Sequence, residues 1–481
     1  MFESTKNIIA KSGLQPTILI EKEFAEWLEN KMAIEFIKEK TRPMNEIKDK
    51  WNKKNISLPN GQVGKNYNES ICLGQEYTNV DAIFCSRHDG LEIEKNIDQD
   101  NNITITIKGR PCKGDDSSNL QKIAIAVSAT SKGNSNVDLE PKHIQFVINP
   151  DPRDLWKNIP TDTNIEYYKE DSQNEGLDIQ ERTVVADTEI IDTSNSCRHI
   201  IAASQRGRSH AHEGRARDDH YTITNDTATG WNIIAVADGA GSAKFSREGS
   251  KIACNTITDF CRRKLEEMDG EICANFKNYI QDPTAENRKT IGNELYTILA
   301  SGALTAQRKI TEESQKKEGS KLKDYATTLL VAITKEIEGK WFIGTFWVGD
   351  GAVGIYKYTE NGEEKEMKVL GTPDEGEFAG QTRFLTMPEI FANPTELFQR
   401  LRFLAVDDFK ALMLMTDGVS DAKFECDANL QNPSKWDEVW EDITKEVNLQ
   451  DDAETASKQL LNWLGFWSQG NHDDRTIAIM Y

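Results

Sequence analysis

The sequence predicts an α+β fold in more than one domain, because three features point the same way. The chain has 481 residues, which is too long for a single compact domain. Short apolar runs such as WNIIAVA and KWFIGTFWV have the length of strands, whereas SREGSKIACNTITDFCRRKLEEM repeats apolar positions at helical spacing. Strands and helix pairs do not alternate strictly, which favours an α+β sandwich over a parallel βαβ sheet.

The first part of the chain shows three successive patterns. Residues 1–55 carry apolar side chains at helical spacing until Pro43 interrupts them, which predicts a helical segment. Residues 60–150 alternate strictly in NITITIKG and KIAIAVSA, which predicts a small antiparallel β domain. The glycines and proline of DGLEIEKNIDQDNNITITIKGRPC also resemble bacterial immunoglobulin-like modules. Residues 151–195 are acidic and lack a sustained period, so we expect a linker there.

Strand and helix patterns mix over residues 196–481. HIIAAS and WNIIAVA predict strands, and an amphipathic helix follows from Ser246. A second helix is predicted in ENRKTIGNELYTILASGALTAQRKI, before the strand-like runs ATTLLVAI, KWFIGTFWV, AVGIYKY and ALMLMTD. ETASKQLLNWLGFW predicts a late helix and RTIAIMY a terminal strand, so this region is expected to form one catalytic domain.

Composition excludes several classes of partner. The formal net charge of −21, from 58 Lys+Arg and 79 Asp+Glu, argues against nucleic acid or an anionic membrane as the main partner. The eight cysteines form no C-x-x-C pair, and no apolar run suits a signal peptide or a membrane span. We therefore expect reduced thiols and a cytoplasmic protein.

The residues that point to chemistry are aspartates at the ends of strand-like runs. Carboxylates at the ends of neighbouring strands meet at one edge of a sheet and repel one another unless a cation neutralises them. Oxygen ligands without cysteine select hard ions such as Mg²⁺ or Mn²⁺. A single D-G is most often only a turn, so the inference depends on the whole ordered set. That set is Asp238, Asp350, Asp417 and Asp473, with the acidic pair Asp218-Asp219 before them.

Six motifs in order carry a resemblance to a known family. They are RARDDHY, VADGAGS, YATTL at 325–329, VGDG, TDGVSD and DDRT. The series over residues 197–481 resembles the metal-dependent protein phosphatases, the type 2C serine/threonine phosphatases, especially their bacterial branch. The resemblance implies two antiparallel sheets packed face to face and flanked by helices. It also implies hydrolysis of phosphoserine and phosphothreonine in proteins by water activated by two ions, Mn²⁺ or Mg²⁺, with a third ion as an option. The implied partners are a phosphorylated protein and its serine/threonine kinase.

The resemblance assigns roles to the matching positions. By analogy, Asp238 bridges two metal ions, and the carbonyl of Gly239 adds a ligand. Asp417 and Asp473 complete the pair of sites. Asp219 is expected to hold waters on the metals, with Asp218 beside it.

Further analogies concern the surroundings of the two ions. Asp350 is expected at a looser third ion together with Asp417. Thr327 and Thr328 match a threonine pair of the family, and we interpret their role as structural.

The sequence departs from the better-known members of the family at two positions. Ala240 stands where those members carry a histidine thought to protonate the leaving group. The family's phosphate-gripping arginine has no clean match; Arg215 is our candidate, because a guanidinium can bind phosphate through two hydrogen bonds, and a solvated basic stretch is the alternative. Four histidines near the motifs could act as general acid or simply occupy loops: His210, His212, His220 and His472.

Two other functions stay open at this point. The chain could be a catalytically silent pseudophosphatase that acts as a binding or regulatory module. The N-terminal half could also be an adaptor that recruits the phosphatase to one complex, which is compatible with catalysis.

Overall fold

The computed structural model describes most of the 481-residue chain. It describes residues 7, 9, 11, 18–85, 89–115, 121–129, 137–179, 198–371, 373–374 and 382–481. The chain divides into two compact units, residues 1–155 and residues 156–481. Among the described residues, none of the helices combines the length and the apolar character that crossing a membrane requires.

The first unit is one long helix followed by short strands. Helix α1 spans Ile18–Lys53 and continues through Pro43, where the sequence predicted an interruption. Three small sheets follow: β2-β5-β4, a second in which β6 pairs with β3, β7 and β8, and the parallel pair β1-β9. Their bounds are β1 Gly61–Gln62, β2 Tyr67–Leu73, β3 Tyr77–Phe84, β4 Leu91–Ile97, β5 Ile103–Gly109, β6 Gln121–Ala129, β7 Val137–Asp138, β8 Lys142–Phe146 and β9 Ile148–Asn149.

The inward positions of these strands form one core. Ile105, Ile107, Ile123 and Ile125 are fully buried, as their strict alternation in the sequence predicted. Trp51, near the end of α1, packs into the same core, and its Nε1 donates a 2.8 Å hydrogen bond to the Glu140 carbonyl. The predicted helical segment and all-β region are therefore confirmed as fold, whereas the immunoglobulin-like character stays a prediction.

The second unit contains two antiparallel sheets. One has six strands in the order β10-β11-β20-β19-β16-β17, and the other has five in the order β12-β13-β14-β15-β18. Their bounds are β10 Ser172–Ile179, β11 Arg198–Gln205, β12 His220–Asp226, β13 Trp231–Ala237, β14 Leu329–Ile337, β15 Lys340–Val348, β16 Ala352–Glu360, β17 Glu363–Gly371, β18 Leu401–Val406, β19 Asp408–Met415 and β20 Arg475–Met480.

Helices cover the outer faces of both sheets. On β13, Ile234 and Val236 face the layer between the sheets, whereas Ile233 and Ala235 face the helices of the five-stranded side. Those helices are α3 Ser246–Gln281, α4 Ala285–Leu295 and α5 Ser301–Lys316, with a π turn at Tyr296–Ala300. The six-stranded side is covered by α7 Asp417–Phe424, α8 Pro433–Glu446 and α9 Ala453–Trp463. Two short helices lie in connections: α2 Arg208–Glu213 and α6 Pro394–Gln399. The predicted sandwich of two antiparallel sheets flanked by helices is confirmed.

One sequence-based boundary is wrong. Residues 172–179, which we expected within the acidic linker over 151–195, form β10 and pair with β11 along its full length. Over residues 172–177 the side chains of this edge strand are exposed or half-buried, so no alternation of apolar and polar residues marks the strand. Residues 180–195 of that predicted linker lie outside the described residues.

Candidate metal centre

The four predicted aspartates lie where strands end, as the sequence indicated. Asp238 follows β13, and Asp350 comes two residues after β15. Asp417 opens helix α7 shortly after β19, and Asp473 lies two residues before β20. The antiparallel strands of the two sheets thus bring the aspartates to one end of the sandwich.

The carboxylates of Asp238, Asp350 and Asp417 form a close cluster. One oxygen from each lies within 4.8 Å of those of the other two. Burial, followed by the charge of Asp417, raises the pKa of Asp238 well above its ordinary value. Burial and the charge of Asp350 do the same for the pKa of Asp417. Three acids this close need a counter-charge to ionise together.

Unpaired oxygens show where that counter-charge fits. The Oδ1 atoms of Asp219, Asp350 and Asp417 are buried and have no hydrogen-bond partner within the part of the chain that the structure describes. A buried carboxylate oxygen without a donor costs free energy, and a divalent cation with oxygen ligands supplies what is missing. The donor set, carboxylates without sulfur, suits Mg²⁺ or Mn²⁺. The residues present therefore fit the ions that the motifs implied.

Asp219 is held firmly on one side only. Its Oδ2 accepts hydrogen bonds from the hydroxyls of Thr416, at 2.9 Å, and Thr476, at 2.6 Å. Burial, and then the nearby charge of Asp474, raise the pKa of Asp219 to about 7. The two threonines thus orient the carboxylate and leave its other oxygen available to the centre.

The threonine pair fixes the backbone of Asp238. The Asp238 amide donates to Thr328 Oγ1, and the Asp238 carbonyl accepts from the Thr327 hydroxyl, each at 2.8 Å. Gly239 pairs with Thr327 in an isolated antiparallel bridge. A Cβ on Gly239 would lie only 2.7 Å from the Asp218 carbonyl oxygen, so the close approach requires glycine. These contacts agree with the structural role that we expected for the threonines.

Asp473 and Asp474 differ sharply although they are adjacent. One carboxylate oxygen of Asp473 lies within 4.8 Å of ligand atoms of His210 and Asp474, and the charge of Asp473 raises the pKa values of Asp238 and Asp417. Asp474 is buried and accepts hydrogen bonds from the Gly207 amide at 2.6 Å and the Asp218 amide at 2.5 Å. Asp474 is a residue of the site that our sequence reasoning missed, although the doubled aspartate of DDRT was a signal for it.

His210 is the third partner of Asp474. Its Nδ1 lies 3.0 Å from Asp474 Oδ2, and its Nε2 lies 3.9 Å from Asp218 Oδ2. Burial alone would lower the pKa of His210, but Asp474 and then Asp218 outweigh burial and raise it to about 9. In the same pair, burial would raise the pKa of Asp474, and the His210 charge holds it below its ordinary value. His210 and Asp474 therefore form a buried ion pair beside the acidic centre.

The other three histidines have different surroundings. Burial lowers the pKa of His220 to about 2, so that side chain is neutral. His212 Nδ1 accepts from the Lys157 amide at 3.0 Å. The His472 ring packs against the rings of Trp156 and Trp467. Of the four histidines considered, His210 is thus the one that contacts the acids of the centre.

Arg215 and Arg217 occupy opposite environments. Arg215 is 40% exposed, donates to the Gly241 carbonyl at 2.6 Å and lies 3.5 Å from Asp218 Oδ2. Arg217 is almost fully buried, and its Nη1 donates to the Asp219 carbonyl at 3.0 Å. Arg217 therefore supports the main chain, and Arg215 is the arginine that stays accessible next to the D-G-A-G-S turn.

The fold and its acidic end agree with the class of protein that the motifs indicated. The family model described as protein phosphatase 2C matches residues 206–465. The chain belongs to the protein phosphatase 2C family, which places it among the protein phosphatases, a class of hydrolase. A search of curated protein sequences gives no match.

Several solved structures are similar to this chain. Serine/threonine phosphatase Stp1 from Staphylococcus aureus is 16% identical, with a TM-score of 0.33, over 58% of this chain and 93% of that one. PppA from Pseudomonas aeruginosa is 13% identical, with a TM-score of 0.34, over 59% and 96%. The catalytic domain of the serine/threonine phosphatase PstP, solved with 2 manganese ions, is 15% identical, with a TM-score of 0.32, over 59% and 97%.

Proposed function

We propose that this chain hydrolyses phosphoserine and phosphothreonine in proteins and that Asp238 is at the centre of catalysis. The observation that carries the proposal is the cluster of Asp238, Asp350 and Asp417, with buried carboxylate oxygens that lack donors among the described residues. A structural ion-pair network would satisfy those oxygens from within the chain. Membership of the protein phosphatase 2C family supports a phosphorylated protein as the substrate.

The chain's carboxylates divide into three groups around the proposed ions. Asp238 and the Gly239 carbonyl would hold two Mn²⁺ or Mg²⁺ ions, with Asp417 and Asp473 completing the set. Asp219 would orient water through its unpaired Oδ1. When bound, such ions lower the pKa of water and neutralise charge on a phosphoryl group.

A looser third ion would use Asp350, shared with Asp417. Asp421 lies nearby: burial and then the charge of Asp350 raise its pKa to about 6. Asp350 itself accepts a hydrogen bond from the Thr382 hydroxyl, which leaves its other oxygen for the ion.

Two cationic side chains would handle the substrate. The exposed guanidinium of Arg215 is suited to bind two phosphoryl oxygens. His210, held through Nδ1 by Asp474, directs Nε2 toward the side of Asp218 and Gly241 and could deliver a proton to the leaving hydroxyl. His210 would thus act as the general acid in place of the family's histidine, at whose position this chain carries Ala240. The substrate would come from a serine/threonine kinase, in the cytoplasm.

The deciding experiment measures p-nitrophenyl phosphate hydrolysis with Mn²⁺, with EDTA, and in Asp238→Asn. Activity should need the metal and fall by at least a thousandfold in Asp238→Asn. Asp259→Asn, an exposed aspartate on α3, is the matched control and should behave as wild type. Phosphoserine, phosphothreonine and phosphotyrosine peptides then test specificity. Wild-type protein that binds no Mn²⁺ and releases no phosphate would support the pseudophosphatase instead.

A further inference from the structure

Residues 156–171 lie outside the family match but pack beside the acidic centre. We name this segment the strap. It precedes residue 206, where the match to the family model begins, and it belongs to the same compact unit as the two large sheets. Its sequence, WKNIPTDTNIEYYKED, shows no regular period and was assigned above to a linker. In the structure, however, the strap forms hydrogen bonds with residues of the acidic centre.

Lys169 is a strap residue that binds the main chain of the acidic pair. Its side chain is buried, and Nζ donates to the carbonyl oxygens of Asp219, at 2.8 Å, and Asp218, at 3.4 Å. Nζ also lies 3.1 Å from Ser250 Oγ, which donates to the Asp218 carbonyl at 2.5 Å. A buried lysine is costly unless its donors are satisfied. Here all three hydrogen bonds go to the acidic pair or to a residue that holds it.

Other strap residues bind the short helix α2 and the loop that follows it, which carry His210 and Arg215. The Ile159 amide donates to the Ala211 carbonyl at 2.8 Å, beside His210. The Thr161 hydroxyl lies 3.0 Å from the Arg215 carbonyl oxygen. The strap is therefore hydrogen-bonded to helix α2, which bears His210, and to the main chain at Arg215 and at the acidic pair.

The geometry points to Lys169 as a positioning residue of the metal centre. We propose that Lys169 fixes the Asp218-Asp219 main chain and so keeps Asp219 Oδ1 where it would serve the proposed ions, and that the strap belongs to the catalytic unit. The side chain of Asp219 is oriented by Thr416 and Thr476 at Oδ2, but its main chain is held by Lys169 together with Arg217. The inference rests on the metal centre of the proposed function.

The test compares Lys169→Met with wild type and with Lys157→Met in the full-length chain. Lys157 is an exposed strap residue whose side chain is not part of the site. Outer residues that orient metal ligands typically cost 10- to 100-fold in metal affinity when mutated. We expect the Mn²⁺ dissociation constant, from titration calorimetry, to rise at least tenfold in Lys169→Met and to stay unchanged in Lys157→Met. The KM for p-nitrophenyl phosphate at saturating Mn²⁺ should stay within twofold of wild type.

A folded Lys169→Met that binds Mn²⁺ as wild type does would overturn the inference. If Lys169→Met does not fold, the Mn²⁺ dissociation constant is measured for Ser250→Ala instead. A rise of threefold or more supports the inference, and an unchanged dissociation constant refutes it. The two proposals fail separately. Wild-type protein that binds Mn²⁺ but lacks phosphatase activity would refute the proposed function. Weakened Mn²⁺ binding in Lys169→Met would still support the role of Lys169 in that case.

Discussion

Replacing Asp474 with asparagine should destabilise the fold, whereas the same change at Asp473 should not. Asp474 accepts three hydrogen bonds in a site that is 1% exposed, from the Gly207 and Asp218 amides and from His210. An asparagine offers one acceptor oxygen, so its amide group must face at least one N–H donor. Losing a hydrogen bond to a charged group costs about 1.5–3 kcal/mol, and the orphaned buried donor adds about 1–3 kcal/mol. We therefore expect Asp474→Asn to lower the free energy of unfolding by about 3–5 kcal/mol.

The assay is thermal unfolding in EDTA, so that metal binding does not enter. A loss of that size should lower the unfolding temperature by several degrees, because about 1 kcal/mol shifts Tm by about 2 °C in a unit of this size. Burial and then the charge of Asp474 raise the pKa of Asp473, so Asp473→Asn removes a repulsion. Its metal-free Tm should equal or exceed that of wild type, while activity is lost. Equal Tm values for Asp474→Asn and wild type would refute the reasoning.

Three further predictions follow from the same contacts. Metal-free protein should lose stability as the pH rises from about 4 to 7, because the fold raises the pKa of Asp219 to about 7. The protonated carboxyl of Asp219 contributes its full stabilisation below the pKa of the unfolded chain, and this contribution is lost as the pH rises to the pKa of the folded state. Tm measured against pH in EDTA tests this, and saturating Mn²⁺ should flatten or reverse the trend. Gly418→Ala should abolish activity and lower Tm, because the new Cβ would lie 1.8 Å from the Asp474 carbonyl oxygen; wild-type kinetics would contradict it. Trp436→Ala should cost about 3–5 kcal/mol by denaturant unfolding, because the fully buried ring packs on Gly354, and it should leave the Mn²⁺ affinity of the folded fraction unchanged.

Local sequence patterns predicted the sandwich because its strands are buried and uninterrupted. The strands KWFIGTFWV and WNIIAVA are apolar on both faces, since each sheet has the second sheet on one side and helices on the other. Strand β10 escaped prediction because it is an edge strand, and Gly176 in its middle lacks a side chain to show a period. Helix α1 runs past Pro43 for a comparable reason: Met44 and Trp51 beyond it are buried in the β core, and packing outweighs local propensity.

The convergence of the aspartates was predictable from the sequence, but the residues that support them were not. Asp238, Asp350 and Asp417 each follow a strand and precede a glycine, so the order of the strands predicts their convergence. Lys169 reaches the acidic pair from 50 residues away along the chain, and no local pattern marks that contact. A lysine in an acidic stretch reads as solvated, and only tertiary structure shows that it is buried.

Asp219 and Asp474 show how the fold places one type of side chain in two different environments. Asp474 has its hydrogen bonds supplied by the protein, and the charge of His210 keeps its pKa low. Asp219 has one oxygen satisfied by threonines and one without a donor among the described residues. A carboxylate whose oxygens are all satisfied by the chain has nothing left for a metal, whereas one left half satisfied is unstable until a cation arrives. Asp219, Asp350 and Asp417 each keep a buried oxygen without a donor among the described residues, whereas the chain supplies donors to both oxygens of Asp474; this is the difference that we expect between a proposed ligand and a supporting residue.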